Sequence, residues 1–452
     1  MADDDDTLWI RPQLDLEDRI EIPRRRLPDA SVDPRTAYQL VHDELLLDGS
    51  SRLNLATFVT TWMEPEARVL IAECLDKNLV DKDEYPQSAE LEGRCVSILA
   101  DLWHAPDAEA ATGTSTTGSS EACMLGGMAL LRRWRVRRPG GARPNLVMGA
   151  NVQVCWEKFC RYWDVEPRQV PVGDGATHLV ADRAAAACDE NTIGVVAILG
   201  STFDGSYEPV GEIAAALDAL QADRGIDVPI HVDAASGGFI APFLERGLEW
   251  DFRVARVQSI NASGHKYGLV FPGVGWVVWR DSAALPRDLV FDVDYLGGHM
   301  PTFALSFSRP AAQVIAQYYT LIRLGREGFR RVQQDCRDVA MWLAGEVAAM
   351  DEFALLSHGD ELPVFAFRAA DDAAEWSVYD VSERLRARGW IVPAYAMPAG
   401  MEDVHVLRVV VRNGFSRDLA GLFVRDLRAA MKVLEESHGR RLTAGDRTGF
   451  HH

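Results

Sequence analysis

No stretch of this chain stays apolar for the roughly 18 residues that a membrane-crossing helix needs, so no such span is expected. Cysteine is sparse: seven in 452 residues, an odd number with no CxxC pair. That disfavours a disulfide framework, and Cys155 and Cys160 lack the companions a metal site would need. Reduced, mostly buried thiols in a cytoplasmic protein are expected, and no metal. Met1 to Asp6 is acidic where a secretory leader would be basic, and Leu8-Trp9-Ile10 is the one early apolar run. Basic residues are in deficit. The formal net charge of −20 argues against nucleic acid or an anionic membrane as the main partner. No internal repeat and no low-complexity linker interrupts the chain.

What is present is an ordinary globular composition, 48% hydrophobic and 25% charged, with length for one large core and a smaller satellite domain. Residues 1–54 read as an arm followed by a helix over Thr36 to Leu47. Residues 55–335 alternate short apolar runs with helical ones. Pro144 to Met148, Val195 to Leu199 and Pro229 to Asp233 have the pattern of buried strands, and Trp156 to Tyr162 and Val210 to Ala222 that of helices. Such alternation predicts an α/β domain whose helices cover both faces of a mostly parallel sheet. Ligands of such sheets gather beyond the carboxyl ends of the strands. A long connecting helix is expected over Gly325 to Met350. Within residues 336–452, Pro363 to Arg368 reads as strand, Trp376 to Arg388 as helix and Val404 to Val411 as strand, a small α+β domain.

Three constellations carry chemistry. Ser263-Gly264-His265-Lys266-Tyr267-Gly268 sets a lysine among small residues, just before the apolar run Leu269 to Trp279. Most lysines lie on solvated helix faces. This one is expected on a loop beside the core, where desolvation lowers its pKa and frees a nucleophilic amine. The run His231-Val232-Asp233-Ala234-Ala235-Ser236-Gly237-Gly238 ends an apolar strand in an aspartate followed by small residues. Such an aspartate commonly caps the next helix. It equally suits the ring nitrogen of pyridoxal 5'-phosphate (PLP), which needs a carboxylate partner to stay protonated and accept electrons. The run Thr112 to Glu121 is rich in Gly, Ser and Thr and leads into a helix over Ala122 to Arg132. A turn of this kind offers free backbone N–H groups at the positive end of a helix, a cradle for phosphate, though without the GK[ST] ending of a P-loop. Each signal alone has a plainer explanation. A phosphate turn, an aspartate and a lysine in that order point together to PLP. Because the protein as a whole is acidic, an anionic cofactor has to be held by a local cluster of donors and cations.

These motifs lie within a wider resemblance. From about Ala37 to its end the sequence resembles the glutamate decarboxylases of bacteria and plants, PLP enzymes of fold-type I. The resemblance is carried by Asn54-Leu55-Ala56-Thr57-Phe58, Asp81 to Ser88, Asp101 to Pro106, Gly118 to Gly127, the His231 and Ser263 runs, and Phe307-Ser308-Arg309-Pro310. It implies a large PLP-binding domain, a small C-terminal domain and an N-terminal helical arm. The reaction it implies is decarboxylation of L-glutamate to 4-aminobutyrate (GABA) and CO2, with uptake of one proton. Residue by residue, Lys266 would carry the cofactor as a Schiff base and Asp233 would pair with its pyridine nitrogen. Gln153 would cover one ring face, where many related amino-acid decarboxylases have histidine, and Ala235 the other. Ser119, Ser120 and His265 would hold the phosphate, joined by Ser308 of the partner subunit. Arg408 would take the α-carboxylate in its bidentate fork. Thr57, Phe58 and Asp81 would surround the distal carboxylate, with Thr202 nearby. A buried carboxylate such as Asp81 accepts another only when one of the two is protonated, so activity favoured by acid is expected, which suits a role in acid resistance.

The resemblance thins at both ends. Met1 to Ala30 does not look like the N-terminal segment that builds a hexamer in some members, whereas Ser308 requires at least a dimer. The end, Glu435 to His452, is short and lacks tryptophan, so the calmodulin binding of the plant enzymes is not expected. His452 matches a histidine that caps the site as pH rises in acid-responsive bacterial members; a frayed tail or the remnant of a tag would place a histidine there equally well. Within the same fold, decarboxylation of aspartate or cysteine sulfinate and amino-group transfer are the competing chemistries. A catalytically silent scaffold is the competing class, and the presence of Lys266, Asp233 and Arg408 counts against it.

Overall fold

The structure, a computed structural model, describes residues 24–140, 142–173, 175–293, 300–371 and 374–436; His452 lies outside these described residues. The chain divides into two units, Met1–Ser50 and Ser51–His452. In the first, helix α1 (Pro34–Leu45) starts on Asp33, whose carboxylate accepts from the backbone N–H groups of Arg35 and Thr36, both at 3.1 Å. Proline at the first helical position and an aspartate cap explain why this helix begins ahead of the expected Thr36.

In the second unit, strands β1 (Thr112–Thr116), β2 (Asn145–Gly149), β3 (Glu166–Val170), β4 (Thr192–Ile198), β5 (Ile230–Asp233), β6 (Val257–Ala262) and β7 (Gly275–Trp279) form a seven-stranded sheet. Their order is β1-β7-β6-β5-β4-β2-β3. From β3 to β6 the neighbours are parallel, and β7 runs antiparallel to both β1 and β6. All residues of β4, β5 and β7 are buried, as expected of strands covered on both faces. The helices of this part are α2 (Pro65–Glu73), α3 (Pro86–Leu102), α4 (Ser119–Arg137), α5 (Val154–Tyr162), α6 (Ala181–Ala186), α7 (Val210–Arg224) and α8 (Ala241–Leu244).

One expectation needs correction. The run Thr112 to Glu121 is not one long turn: Thr112–Thr116 is β1, paired residue for residue with β7, and only Thr117 and Gly118 lie between it and α4. Alternating β-branched threonines beside a ready antiparallel partner favour the strand. The expected connecting helix from Gly325 is present and ends at Ala348; a further helical stretch, from Ala312, runs into it across a kink, and the two are numbered as one element. It is α9 (Ala312–Ala348), interrupted at Gly325, whose φ of 56° only glycine adopts at low cost.

A short ribbon, β8 (Phe291–Val293) and β9 (Met300–Thr302), precedes α9. After it, β10 (Phe353–Leu355), β11 (Val364–Ala369), β12 (Ala394–Ala396) and β13 (His405–Val410) form an antiparallel sheet in the order β10-β11-β13-β12. Helices α10 (Val378–Arg386) and α11 (Arg417–Glu436) complete it. Its core joins Phe365, Phe367, Leu407 and Phe423 to Cys336 and Leu343 from the second half of α9. All seven cysteines are free and buried. No described helix is long and apolar enough to cross a membrane.

Candidate active site

A cavity of about 350 Å³ opens beyond the carboxyl ends of β4 and β5, as the parallel topology predicts. Ser119, Ser120, Gln153, Thr202, Asp233, Ala235, His265 and Lys266 all line it. Lys266 stands on the loop that leaves β6. Its Nζ donates to Ser236 Oγ at 3.1 Å and lies 5.1 Å from the centroid of the Phe58 ring. Burial pushes its pKa down, with Asp233 pulling the other way. The loop is held by its own backbone carbonyls: Gln333 donates to Tyr267 O at 2.7 Å, Gln317 to Gly268 O at 3.0 Å and the Thr60 amide to His265 O at 2.7 Å. Leu269, at φ 64°, turns left-handed right after these clamps, a strain that surrounding contacts must hold in place.

Asp233, 4% exposed, is the last residue of β5. One carboxylate oxygen accepts from Asn261 Nδ2 at 3.0 Å and the Ala235 amide at 3.1 Å; the other accepts from Trp156 Nε1 at 2.8 Å and the Cys123 thiol at 3.6 Å. Cys155 thus finds its partners in Cys123 and Asp233, the three side-chain atoms lying within 4.8 Å of one another, rather than in Cys160. Burial, reinforced by Cys155 and Asp233, keeps the Cys123 thiol protonated.

At the other end of the cavity α4 begins on Ser119, whose hydroxyl accepts from Ser263 at 2.7 Å. His265 packs on Gly118, and burial first, Lys266 second, pushes its pKa down to about 4. The turn is pressed from below by β7. A Cβ on Gly275 would lie 2.5 Å from the Gly118 carbonyl carbon and 2.7 Å from the Ser119 nitrogen.

Arg408 enters from β13 of the second sheet. Its guanidinium donates to the carbonyls of Thr202 and, at 2.6 Å, Ala56, while its Nε–H is buried without a protein partner. It lies 4.8 Å from the Phe58 ring and 5.6 Å from that of Tyr395. Thr57, next to Phe58, accepts from the Val59 amide at 3.1 Å. Thr57, Phe58, Thr202 and Arg408 therefore gather on the Lys266 side.

Asp81 and Ser308 do not join them. Of all six only Thr202 lines the cavity, but Phe58 and Arg408 are tied to it through Lys266 and Thr202, as Asp81 and Ser308 are not. They share a separate ladder, in which Leu79 donates to Arg309 O at 2.8 Å, Asn78 Nδ2 to Ser308 Oγ at 3.4 Å and the Asp81 amide to Asn78 O at 3.2 Å. Sequence reasoning missed Ser236, Asn151, Cys123, Trp156 and Asn261. For the last a signal existed: His231 and Asp233, like Ser259 and Asn261, are polar residues at alternate positions of apolar strands, which puts each pair on one face.

Residues 28–370 match the pyridoxal-dependent decarboxylase conserved domain. The chain belongs to the pyridoxal-dependent decarboxylase family. A glutamate decarboxylase of Aliivibrio fischeri is 52% identical over 429 residues, covering 93% of this decarboxylase and 92% of the relative. One from Arabidopsis thaliana is 49% identical over 424 residues, 92% and 84% of the two chains. The solved glutamate decarboxylase of Lactobacillus brevis matches with a TM-score of 0.90 at 48% identity, over 94% of this chain and 98% of that one. A sphingosine-1-phosphate lyase of Burkholderia pseudomallei, 23% identical with a TM-score of 0.77, shares the fold.

The fold is thus that of the fold-type I PLP enzymes, and PLP is the cofactor of this decarboxylase. The cavity fits it. It offers an amine of lowered pKa, a carboxylate at a strand end and a helix N-terminus with hydroxyls, spaced around one volume.

Proposed function

We propose that this decarboxylase releases CO2 from L-glutamate to give GABA, with PLP anchored on Lys266. One observation carries the geometry: Lys266 and Asp233 stand at the ends of adjacent strands around a cavity beside which the Nε–H of Arg408 is buried and unpartnered. The choice of glutamate rests on 52% identity to a glutamate decarboxylase over 93% of the chain.

In this reading Asp233 would hold the proton on the pyridine nitrogen, Gln153 and Ala235 would face the two sides of the ring, and Ser119, Ser120 and His265 would bind the phosphate. Bound PLP supplies an electron sink for the pair released when the bond from Cα to the carboxylate breaks. Arg408 would hold that carboxylate and so choose which bond breaks. Lys266, desolvated and hydrogen-bonded to Ser236, is suited to deliver the proton that Cα then takes. Thr57, Phe58 and Thr202 would line the place of the distal carboxylate.

Asp81 and Ser308 would serve the cavity of a second subunit, because they travel on one ladder that stands apart from their own. Leu305 and Phe307, beside Ser308, are 45% and 42% exposed, apolar surface of the kind a subunit contact covers. A dimer is therefore the smallest active assembly. Acid would favour the reaction, since it consumes a proton and pairs Asp81 with a substrate carboxylate.

Incubation with L-glutamate and PLP is expected to yield GABA and CO2 in equal amounts, faster at acidic than at neutral pH. Aspartate and cysteine sulfinate, offered in parallel, should give no comparable product. Appearance of 2-oxoglutarate in place of CO2 would refute the reading. Lys266→Ala should lose the visible absorbance of bound cofactor and at least roughly 10³-fold in turnover.

A further inference from the structure

Between Ile230 and His231 the register of the parallel pair β5 and β6 slips by one residue: Ile230 pairs with Val257, His231 with Ser259 and Asp233 with Asn261. An unbroken register would set Ile260 beside Asp233. With the slip, two rungs of polar side chains share one interior face, exposed by 0% at His231 and Asn261, 1% at Ser259 and 4% at Asp233. They join end to end. The Ser259 hydroxyl is 2.7 Å from His231 Nδ1, His231 Nε2 is 2.7 Å from Asn261 Oδ1, and Asn261 Nδ2 is 3.0 Å from Asp233 Oδ1.

Elementary donor chemistry orients the protons along this chain. Asn261 turns its amide N–H toward the carboxylate, so its oxygen faces His231 and accepts only from a donor there. Burial pushes the His231 pKa down, leaving a neutral imidazole with one donor and one acceptor. Its proton is therefore on Nε2, and Nδ1 accepts from Ser259. The opposite polarity, with the Asn261 oxygen toward Asp233, suits a protonated Asp233 alone. Space is kept for the ring, since a Cβ on Gly126 of α4 would lie 2.5 Å from His231 Cε1. The same ring meets Trp156 edge-on at 5.0 Å, and Trp156 donates to the other oxygen of Asp233.

We propose that His231 is a positioning residue: by donating to Asn261 it sets the polarity of the chain Ser259–His231–Asn261–Asp233, which holds Asp233 ionised and so keeps the pyridine nitrogen of PLP protonated. The inference rests on the role given to Asp233 above.

The test uses holoenzyme reconstituted with PLP carrying ¹⁵N at the ring nitrogen, whose resonance separates protonated from unprotonated pyridine. His231→Phe keeps the ring volume and the edge contact with Trp156 but removes the donor. Its ¹⁵N signal is expected to move toward the unprotonated position. Its kcat on glutamate should fall roughly 10- to 100-fold, the cost of leaving the buried Asn261 oxygen without a donor, with KM within about twofold. His231→Gln, which can donate again, should recover the protonated signal and most of kcat. A protonated signal in His231→Phe, or a His231→Gln enzyme no better than His231→Phe, overturns the proposal. If His231→Phe does not fold, Gly126→Ala decides: it keeps all four side chains of the chain but forces the imidazole from its place, the added Cβ falling 2.5 Å from Cε1 and 2.6 Å from Nδ1, so an unshifted signal overturns the proposal and a shifted one supports it. The ¹⁵N readout needs no substrate. A wild-type enzyme with a protonated ring but no CO2 release from glutamate would refute the proposed substrate while leaving the chain to be judged by its variants.

Discussion

Arg408 is the residue on which the choice of bond turns, and its geometry makes a sharp demand. Two of its nitrogens are held by the carbonyls of Thr202 and Ala56, which aims the rest of the fork. A lysine keeps the charge but has neither the fork nor the second anchor. Arg408→Lys is therefore expected to lower kcat/KM for glutamate about 100-fold while the absorbance of bound PLP persists, as steady-state kinetics and a spectrum of the same sample would show. His265 supplies a pH dependence. In the folded chain without cofactor it takes up a proton only near 4, against 6.5 for an ordinary histidine. The unfolded chain thus binds more protons in that window, so the contribution of His265 to stability is complete above about 6.5 and is lost as pH falls toward 4. Melting of the apoprotein from pH 7 to pH 4 should accordingly fall less steeply in His265→Asn than in the wild type. That Lys266 and Asp233 meet at one cavity was legible in the sequence because each is announced by its immediate neighbours after an apolar strand, whereas His265 came only with the resemblance. Ser236 and Trp156 were not legible, because what they do depends on partners brought in by other strands and helices.

Among the secondary-structure elements, the phosphate turn shows what periodicity can and cannot tell. The helix after it was readable; the strand before it was not, since β1 owes its existence to β7, whose sequence lies more than a hundred residues further on. The turn is short because β7 presses against it at Gly275. Gly275→Ala should therefore push on Gly118 and Ser119. A rise of about tenfold or more in the PLP dissociation constant is expected from overpacking of this kind, read by titrating apoprotein with PLP and following cofactor fluorescence. The long α9 was half legible for a related reason. Gly325 reads as a place to start a helix, and in the structure a second helix does start there across a kink; the stretch before it, which carries Gln317 to its carbonyl in the Lys266 loop, was the part not expected.

For the molecule as a whole, the placement of Asp81 and Ser308 leads to a test of assembly. Lys266→Ala and Asp81→Ala subunits, each with little activity alone, can be mixed, dissociated mildly and allowed to reassociate. If Asp81 serves the partner subunit, a hybrid dimer contains one complete site, and random pairing returns about a quarter of the wild-type rate. If it serves its own subunit, no hybrid site is complete and nothing returns. The net charge of −20 adds that attraction for two anionic ligands is local, from Lys266, Arg408 and the start of α4, so added salt should weaken it less than it would a long-range field. The seven free thiols, finally, make the protein its own reporter. A thiol reagent reaches a buried cysteine only when the packing around it opens. Cys336 belongs to the core of the second sheet, Cys95 and Cys188 to that of the first. The order in which they become labelled under mild denaturant ranks which of the two cores loosens first, with no foreign probe attached.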